Sequence, residues 1–337
     1  MNEEKILERY RQFISPEFCA FFQGQRILIS GASGLLGMHF ALLFQVFDTY
    51  FQGKTRLILI SKTGEFPFEL SRNSDVLKMD LTRGINRESI GLFDTVIHAA
   101  GYGQPSKFLD EKLKTIYLNT ATTIDLSGLV KPTGSFLFIS TSEVYSGLSN
   151  PPFRESQIGL TNTNHLRSSY IESKRAGEAI VAALKSEFPS MLAASARLAL
   201  AYGPGVKPGD SRVLYEMIAK GLLDGEIVLR DLGSAFRTYC FVSDSIEQCI
   251  AIIMKAKENI YNVGGKSRLR IADLAKQIGE IMDVPVVIPN TNESFHSDAP
   301  IDVWLDLTRI EQLSGKKEYV DLQEGLEQTI TWVKKNH

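Results

Sequence analysis

Two segments of this chain hold residues whose types and spacing can do chemistry together. The first is Ile27-Leu28-Ile29-Ser30-Gly31-Ala32-Ser33-Gly34-Leu35-Leu36-Gly37, an apolar strand that enters a glycine turn and then a helix. A turn of the form Gly31-x-x-Gly34-x-x-Gly37 lets backbone N–H groups approach a pyrophosphate at a helix N-terminus. The same spacing can mark a tight turn with no ligand. The flanking strand and the Leu- and Phe-rich helix argue for the ligand. The second segment is Tyr170-x-x-x-Lys174, a phenol and an ammonium one helical turn apart. A neighbouring Lys⁺ favours phenolate, so the pair predicts a lowered Tyr170 pKa. A phenolate beside a nicotinamide can take a hydroxyl proton while hydride leaves the carbon. Together the segments predict a nicotinamide enzyme that moves a hydride to or from a carbinol carbon.

The elements that must position these groups alternate along the chain. Strands are readable at 26–30, 56–60, 76–79, 94–99, 135–140 and 192–198. Helices are readable at 35–47, 111–128, 166–187 and 211–222. Parallel strands with crossover helices predict an α/β fold, a Rossmann-type doubly wound sheet covered on both faces. Residues 1–23 read as a helical extension, with Ile6, Tyr10 and Phe13 at helical spacing and Phe18, Phe21 and Phe22 after them. This is a packing arm, or alternatively a partner-binding one. The dinucleotide-binding domain then covers 24–205. The apolar run 239–242, followed by a helix from Asp244, reads as a return to the main sheet within 239–262. Residues 206–238 and 263–337 read as a smaller mixed α/β lobe for the substrate.

Bulk properties narrow the partners. A net charge of −2 gives no basic field for nucleic acid. Three cysteines, Cys19, Cys240 and Cys249, match no metal motif and argue against a disulfide framework. No apolar run reaches transmembrane length. The start Met1-Asn2-Glu3-Glu4-Lys5 lacks the basic opening of a signal peptide. These features predict a cytoplasmic setting.

Other strand ends supply polar groups. An acid at the end of the second strand would bond a ribose 2′-hydroxyl, but Ser61 stands there, followed by Lys62. No carboxylate would repel a 2′-phosphate, so NAD is expected and NADP tolerated; Lys62 as a plain solvated residue is the alternative. Asp80, with Leu81 after it, is a candidate partner for the adenine amine, or a turn cap. Ala99, Ala100 and Gly101 are small enough to let a cofactor pass the backbone. His98 reads as structural. At the end of the fifth strand, Ser140-Thr141-Ser142-Glu143 clusters polar groups where a parallel sheet carries its site. Thr141 can hydrogen-bond the substrate oxygen that Tyr170 deprotonates. An extended strand end would point Thr141 and Glu143 the same way. The cofactor set is therefore Gly31, Ser33, Gly34, Leu35, Gly37, Ser61, Lys62, Asp80, Leu81, Ala99, Ala100, Gly101, Tyr170 and Lys174, with no metal.

At these residues the chain resembles the extended short-chain dehydrogenase/reductase family, in its NAD-dependent epimerase/dehydratase group. Further matches are Asn119, Ala196-Arg197-Leu198 with Tyr202-Gly203-Pro204, the stretch from Leu232 to Asp244, and Tyr261-Asn262-Val263-Gly264-Gly265. The resemblance implies that Asn119 serves the cofactor and that Arg237 meets the nucleotide diphosphate or sugar. Thr141-Ser142-Glu143 resembles UDP-glucuronate decarboxylases and also 4,6-dehydratases. Pro105-Ser106-Lys107-Phe108 and Ser211-Arg212-Val213-Leu214 align with the decarboxylases and make Lys107 and Arg212 substrate candidates. The chain departs from the family at Leu200, at Gly205-Val206 and at Ser297-Asp298-Ala299-Pro300.

The resemblance implies a nucleotide-sugar enzyme working through a 4-keto intermediate. Tyr170 would take the 4-hydroxyl proton, with Lys174 depressing its pKa and holding the ribose, while Ser142 and Glu143 act on the C5 side. Decarboxylation of a uronate is the first expectation. Dehydration is the alternative, then 4-epimerisation or 4-dehydrogenation. A scaffold or redox sensor would be the non-enzyme reading, disfavoured by the joint presence of Tyr170 and Lys174. A homodimer through the helices at 111–128 and 166–187 is also implied, with Ile116 and Ile180 on its surface.

Overall fold

Ile27, Leu28 and Ile29 are all fully buried, which explains why the first strand is a continuous apolar run and not an alternating one. The computed structural model describes residues 2–69, 74–290 and 301–336, so Ser297-Asp298-Ala299-Pro300 lies outside the described residues. Two helices, α1 (Asn2–Phe13) and α2 (Pro16–Phe22), come first. They are followed by β1 (Arg26–Ser30), α3 (Leu35–Phe51), β2 (Arg56–Ser61), β3 (Ser74–Lys78) and β4 (Phe93–His98). Then come α4 (Pro105–Asp110), α5 (Lys112–Asn119), α6 (Ala121–Ser127), β5 (Val130–Thr141), α7 (Ser168–Glu187) and β6 (Leu192–Leu198).

These strands, with β10 (Ile260–Val263), form a seven-stranded sheet in the order β10-β6-β5-β4-β1-β2-β3. Each neighbouring pair is parallel. The order reverses between β1 and β4, and a crevice opens there beyond the carboxyl ends of the strands. The pleat sorts the apolar side chains by parity. Ile27 and Ile29 join one core with α1, α2 and α3; Leu28 joins the other with Phe136, Phe138, Val181 and Leu184.

The remaining chain carries β7 (Leu200–Tyr202), α8 (Val213–Leu223), β8 (Ile227–Val228), β9 (Phe236–Phe241) and α9 (Val242–Lys255). After β10 come β11 (Ser267–Arg270), α10 (Ile271–Met282), β12 (Val286–Val287), α11 (Thr308–Ser314) and α12 (Leu322–Asn336). The apolar run 239–242 does not return to the main sheet. Its strand, β9, lies between β11 and β7 in a separate three-stranded sheet. The strand that does return is β10, which takes the edge beside β6. The reason is local: β7 follows β6 directly and offers β9 a parallel partner, Leu200 opposite Tyr239.

The helix expected over 111–128 is two helices. Thr120 breaks it at φ −120°, ψ −78°. The Thr120 hydroxyl donates to the Ile116 carbonyl at 2.7 Å, and Thr123 donates to that of Asn119 at 2.8 Å. Such back-bonding by β-branched hydroxyls competes with a continuous ladder. Pro105 starts α4 as a separate turn.

Candidate active site

The glycine turn is shaped by close backbone approach. Gly31 sits at φ +66°, and a Cβ there would lie 2.6 Å from Ala100 Cα. A Cβ on Gly37 would lie 2.3 Å from the Gly31 carbonyl oxygen. Neither position admits a side chain, so the first turn of α3 is pressed onto the strand ends. Gly34 is the helix N-cap and provides no side-chain acceptor. The first-turn N–H groups of α3 thus keep their partial positive charge for an anion. Ser33, Gly34, Leu35 and Gly37 line one cleft with Ala99, Gly101, Thr141, Ser142, Glu143, Tyr170 and Lys174.

Ser61 does not face that cleft. It is buried, donates to the Ser33 hydroxyl at 2.9 Å and accepts from the Gly64 N–H at 3.1 Å. Lys62 pairs with Asp80 at 3.1 Å. Asp80 also accepts from the Thr82 N–H and hydroxyl. The Thr82 hydroxyl bond, aided by Lys62, draws its carboxyl down to about 2. Asp80 therefore takes the turn-cap role. Leu81 is buried in the core beneath, and Ala100 is buried under Gly31. His98 is structural: Nδ1 meets the Ser30 hydroxyl at 2.9 Å and Nε2 donates to the Leu118 carbonyl at 3.0 Å. Burial, with Lys174 nearby, lowers its pKa to about 3.

On α7, Lys174 is buried and donates to the Ile139 carbonyl at 2.6 Å, with its ammonium 4.6 Å from the Phe138 ring. Burial pulls its pKa down to about 7, against Glu178. Asn119 on α5 donates to the Ser173 hydroxyl at 2.9 Å, while its Oδ1 is buried with no partner. A Cβ on Gly101 would stand 3.5 Å from both that Oδ1 and the Lys174 ammonium. A buried acceptor left unpaired is costly. Here it lies behind Gly101, which lines the cleft, and a ligand hydroxyl reaching that far would satisfy it.

Tyr170 departs from expectation. Its pKa is raised to about 12, first by burial and then by Glu143; Thr141, Arg167 and Arg212 oppose the rise. Lys174 is not what tunes it here, because desolvation outweighs the cations. The phenol ring stacks on Phe108, centroids 4.3 Å apart and planes 4° apart.

Thr141 and Glu143 do not share a strand end. Residues 142–145 form a helical turn that Thr141 caps, accepting from the Glu143 N–H at 3.2 Å. Both nevertheless line the cleft. The strongest feature at this end is one that the sequence reading missed. Arg167 holds Glu143 through both carboxylate oxygens, Nε donating to Oε2 at 2.8 Å and Nη2 to Oε1. Its guanidinium also lies 4.7 Å over Phe108. The signal was a cation three residues before Tyr170, hence one turn away.

The substrate candidates separate. Arg212 lines the cleft, pairs with both Asp210 oxygens and lies 4.9 Å over Tyr215. Arg237 is half-buried and donates to the Phe236 carbonyl at 2.7 Å. Burial lowers its pKa, and Glu143 and Arg167 both act on it electrostatically. Lys107 is exposed on α4 and does not line the cleft; α4 delivers Phe108 instead. Leu200, one of the chain's departures from the family pattern, is on the cleft wall.

The model of the NAD dependent epimerase/dehydratase family matches residues 27–264. The chain belongs to that family. It is 29% identical over 316 residues to UDP-glucuronic acid decarboxylase 6 of Arabidopsis thaliana, covering 91% of this chain and 88% of that one. It is 27% identical over 345 residues to UDP-glucuronic acid decarboxylase 1 of Xenopus tropicalis, covering 98% and 78%. In fold it is similar to an epimerase of Methanothermobacter thermautotrophicus, with TM-score 0.77, 19% identity, and 98% and 96% of the chains covered. It is also similar to a UDP-glucuronic acid 4-epimerase of Bacillus cereus bound to UDP-glucuronic acid and NAD, with TM-score 0.73, 20% identity, and 93% and 100% covered. The family uses NAD, and the site fits it: a side-chain-free cradle at Gly31 and Gly37, an open helix N-terminus, and the unpaired Asn119 acceptor behind Gly101. No helix among the described residues is long and apolar enough to cross a membrane.

Proposed function

We propose that this chain decarboxylates a nucleotide-linked uronate, with UDP-glucuronate the first substrate to test. The observation that carries this reading is the two-pronged Arg167–Glu143 pair that follows β5. Arg167 grips both Glu143 oxygens, which holds the carboxylate against the guanidinium and favours a positioning part for it over the free C5 base that dehydration would require. Arg237, whose guanidinium donates to backbone carbonyls and pairs with no carboxylate among the described residues, would supply the positive charge that a uronate carboxylate needs.

Bound NAD would supply reversible hydride acceptance at C4. Tyr170 then accepts the O4 proton, with Thr141 hydrogen-bonding the same oxygen. Lys174 would hold the ribose hydroxyls together with Asn119, while the Thr141 hydrogen bond and the Arg167 and Arg212 cations favour the phenolate against burial. With C4 a ketone, the C5–C6 bond can break. Its electron pair passes into the carbonyl as an enolate and carbon dioxide leaves. C5 then takes a proton from solvent, on the face that Ser142 and the Arg167-held Glu143 carboxylate leave open. Tyr170 returns its proton to O4 when C4 is reduced again.

Two finer features belong to the same reading. Ser61 and Lys62 place no carboxylate at the end of β2, which supports tolerance of NADP. Leu113, Ile116 and Ile124 are exposed apolar groups on α5 and α6, and Leu113 is 82% exposed. They support pairing of α5, α6 and α7, where half-buried Ile180 lies, with the same helices of a second copy. The deciding experiment is incubation with UDP-glucuronate and NAD. A product lighter by the mass of carbon dioxide is expected. Loss of water, or an isomer of unchanged mass, would overturn decarboxylation in favour of dehydratase or epimerase.

A further inference from the structure

The loop 203–212 carries Val206, Lys207, Asp210 and Arg212 into the cleft, facing the first turn of α3. Two of its backbone carbonyls are held by side chains from helices far away in sequence. The His39 Nε2 contacts the Pro204 oxygen at 2.8 Å. The Trp332 indole donates to the Val206 oxygen at 3.3 Å. Between them Gly205 sits at φ +96°, and a Cβ there would lie 2.9 Å from Phe68 and 3.4 Å from His39. The Phe68 and Trp332 rings stand 4.5 Å apart and close the box.

Hydrogen-bond chemistry fixes the direction of the first contact. A carbonyl only accepts, so His39 must carry its proton on Nε2. Burial keeps this imidazole neutral, with its pKa lowered to about 4. Its Nδ1 is then an acceptor, and the Tyr10 hydroxyl donates to it at 2.6 Å. Tyr10 is fully buried on α1. Without that hydroxyl, Nδ1 would be a buried acceptor with no partner, and the ring would lose the contact that fixes its orientation. The Tyr10 hydroxyl thus anchors the imidazole whose other nitrogen grips the loop. Tyr10 and Trp332 both lie outside the family-matched segment 27–264, and Arg9 on α1 reaches Glu324 on α12 at 3.2 Å.

We propose that Tyr10, through His39, and Trp332 are positioning residues: the two terminal helices clamp the loop 203–212 against α3 and so set how firmly the nicotinamide cofactor is held. The proposal rests on the cofactor seat described above. It assigns to the N-terminal extension a part in the site that packing alone would not require.

The test compares wild type, Tyr10→Phe and Trp332→Phe as full chains. Each variant keeps an aromatic ring and removes one hydrogen-bond donor. Backbone hydrogen exchange is followed without cofactor, and NADH release by its fluorescence on mixing with excess NAD. Faster exchange confined to 203–212 is expected, with 139–145 and 168–187 unchanged. NADH should leave about tenfold faster, the scale of one buried hydrogen bond. A lowered melting temperature with unchanged exchange at 203–212 and unchanged NADH release would mean mere packing and would overturn the proposal. If Tyr10→Phe does not fold, Trp332→Phe carries the same test. Wild type that binds no NADH would instead remove the cofactor seat, and the exchange result alone would then decide whether the clamp exists.

Discussion

Arg167 closes both carboxylate oxygens of Glu143, 2.8 Å from Nε to Oε2, and Glu143 lines the same cleft as Tyr170. The proposed decarboxylation assigns this pair to the C5–C6 side of a sugar oxidised at C4. Glu143→Gln should therefore permit oxidation at C4 and block the later step. A 4-keto sugar is expected to accumulate in single turnover, read by nicotinamide absorbance and by sugar mass. Full activity would make the glutamate structural. Arg167→Lys replaces a two-pronged contact with a point charge and should cut turnover by about tenfold or more.

Tyr170→Phe should lower turnover by roughly 10²–10⁴-fold, the usual scale of a lost general base. The Phe108 stack survives the change, so the fold and NAD binding should persist. Near wild-type turnover would remove Tyr170 from the mechanism.

Lys174 makes stability depend on pH. Its pKa falls from 10.5 to about 7 on folding without ligand. Between these values the unfolded chain binds more protons than the folded one. Stability should thus rise as pH rises from about 7 towards 10.5, by on the order of 3 kcal/mol. Tyr170 works oppositely above pH 10, where the unfolded phenol ionises first and its raised folded pKa removes stability. Chemical denaturation of wild type and Lys174→Met across pH 7–10 checks the first effect; the variant should lose the rise.

The proposed tolerance of NADP rests on Ser61 and on Lys62, which pairs with Asp80. Calorimetry should find NADP binding no worse than about tenfold below NAD, a gap of ~1.4 kcal/mol. Asp80→Asn releases Lys62 and should shift the ratio further towards NADP. Strict NAD selectivity in both proteins would mean that another group reads the 2′-hydroxyl.

The exposed stripe of Leu113, Ile116 and Ile124 predicts a dimer in sedimentation at micromolar concentration. Ile124→Glu should yield monomer with the fold intact, because a charge in a helix-packed seam is strongly disfavoured. A monomeric wild type would remove this surface from the dimer reading.

Residue types alone determined the sheet and the catalytic order. Ile27-Leu28-Ile29 is apolar without interruption because both faces are buried, and Gly31 and Gly37 are glycines because Ala100 and the Gly31 carbonyl lie within contact distance. Tyr170 and Lys174 share a helix, so their spacing was legible without coordinates. Tertiary structure decided what depends on partners distant in the chain. Burial raised Tyr170 when its neighbour predicted the reverse, since desolvation is set by everything packed around the ring. Strand β9 paired with β7 and not with the main sheet, because β-pairing follows which edge is free and not how apolar the run is. The Arg167–Glu143 pair and the chain from Tyr10 through His39 to Pro204 span 24, 29 and 165 residues of sequence. No local pattern encodes such contacts; they exist only once the sheet has brought its strand ends, its helices and both termini to one crevice.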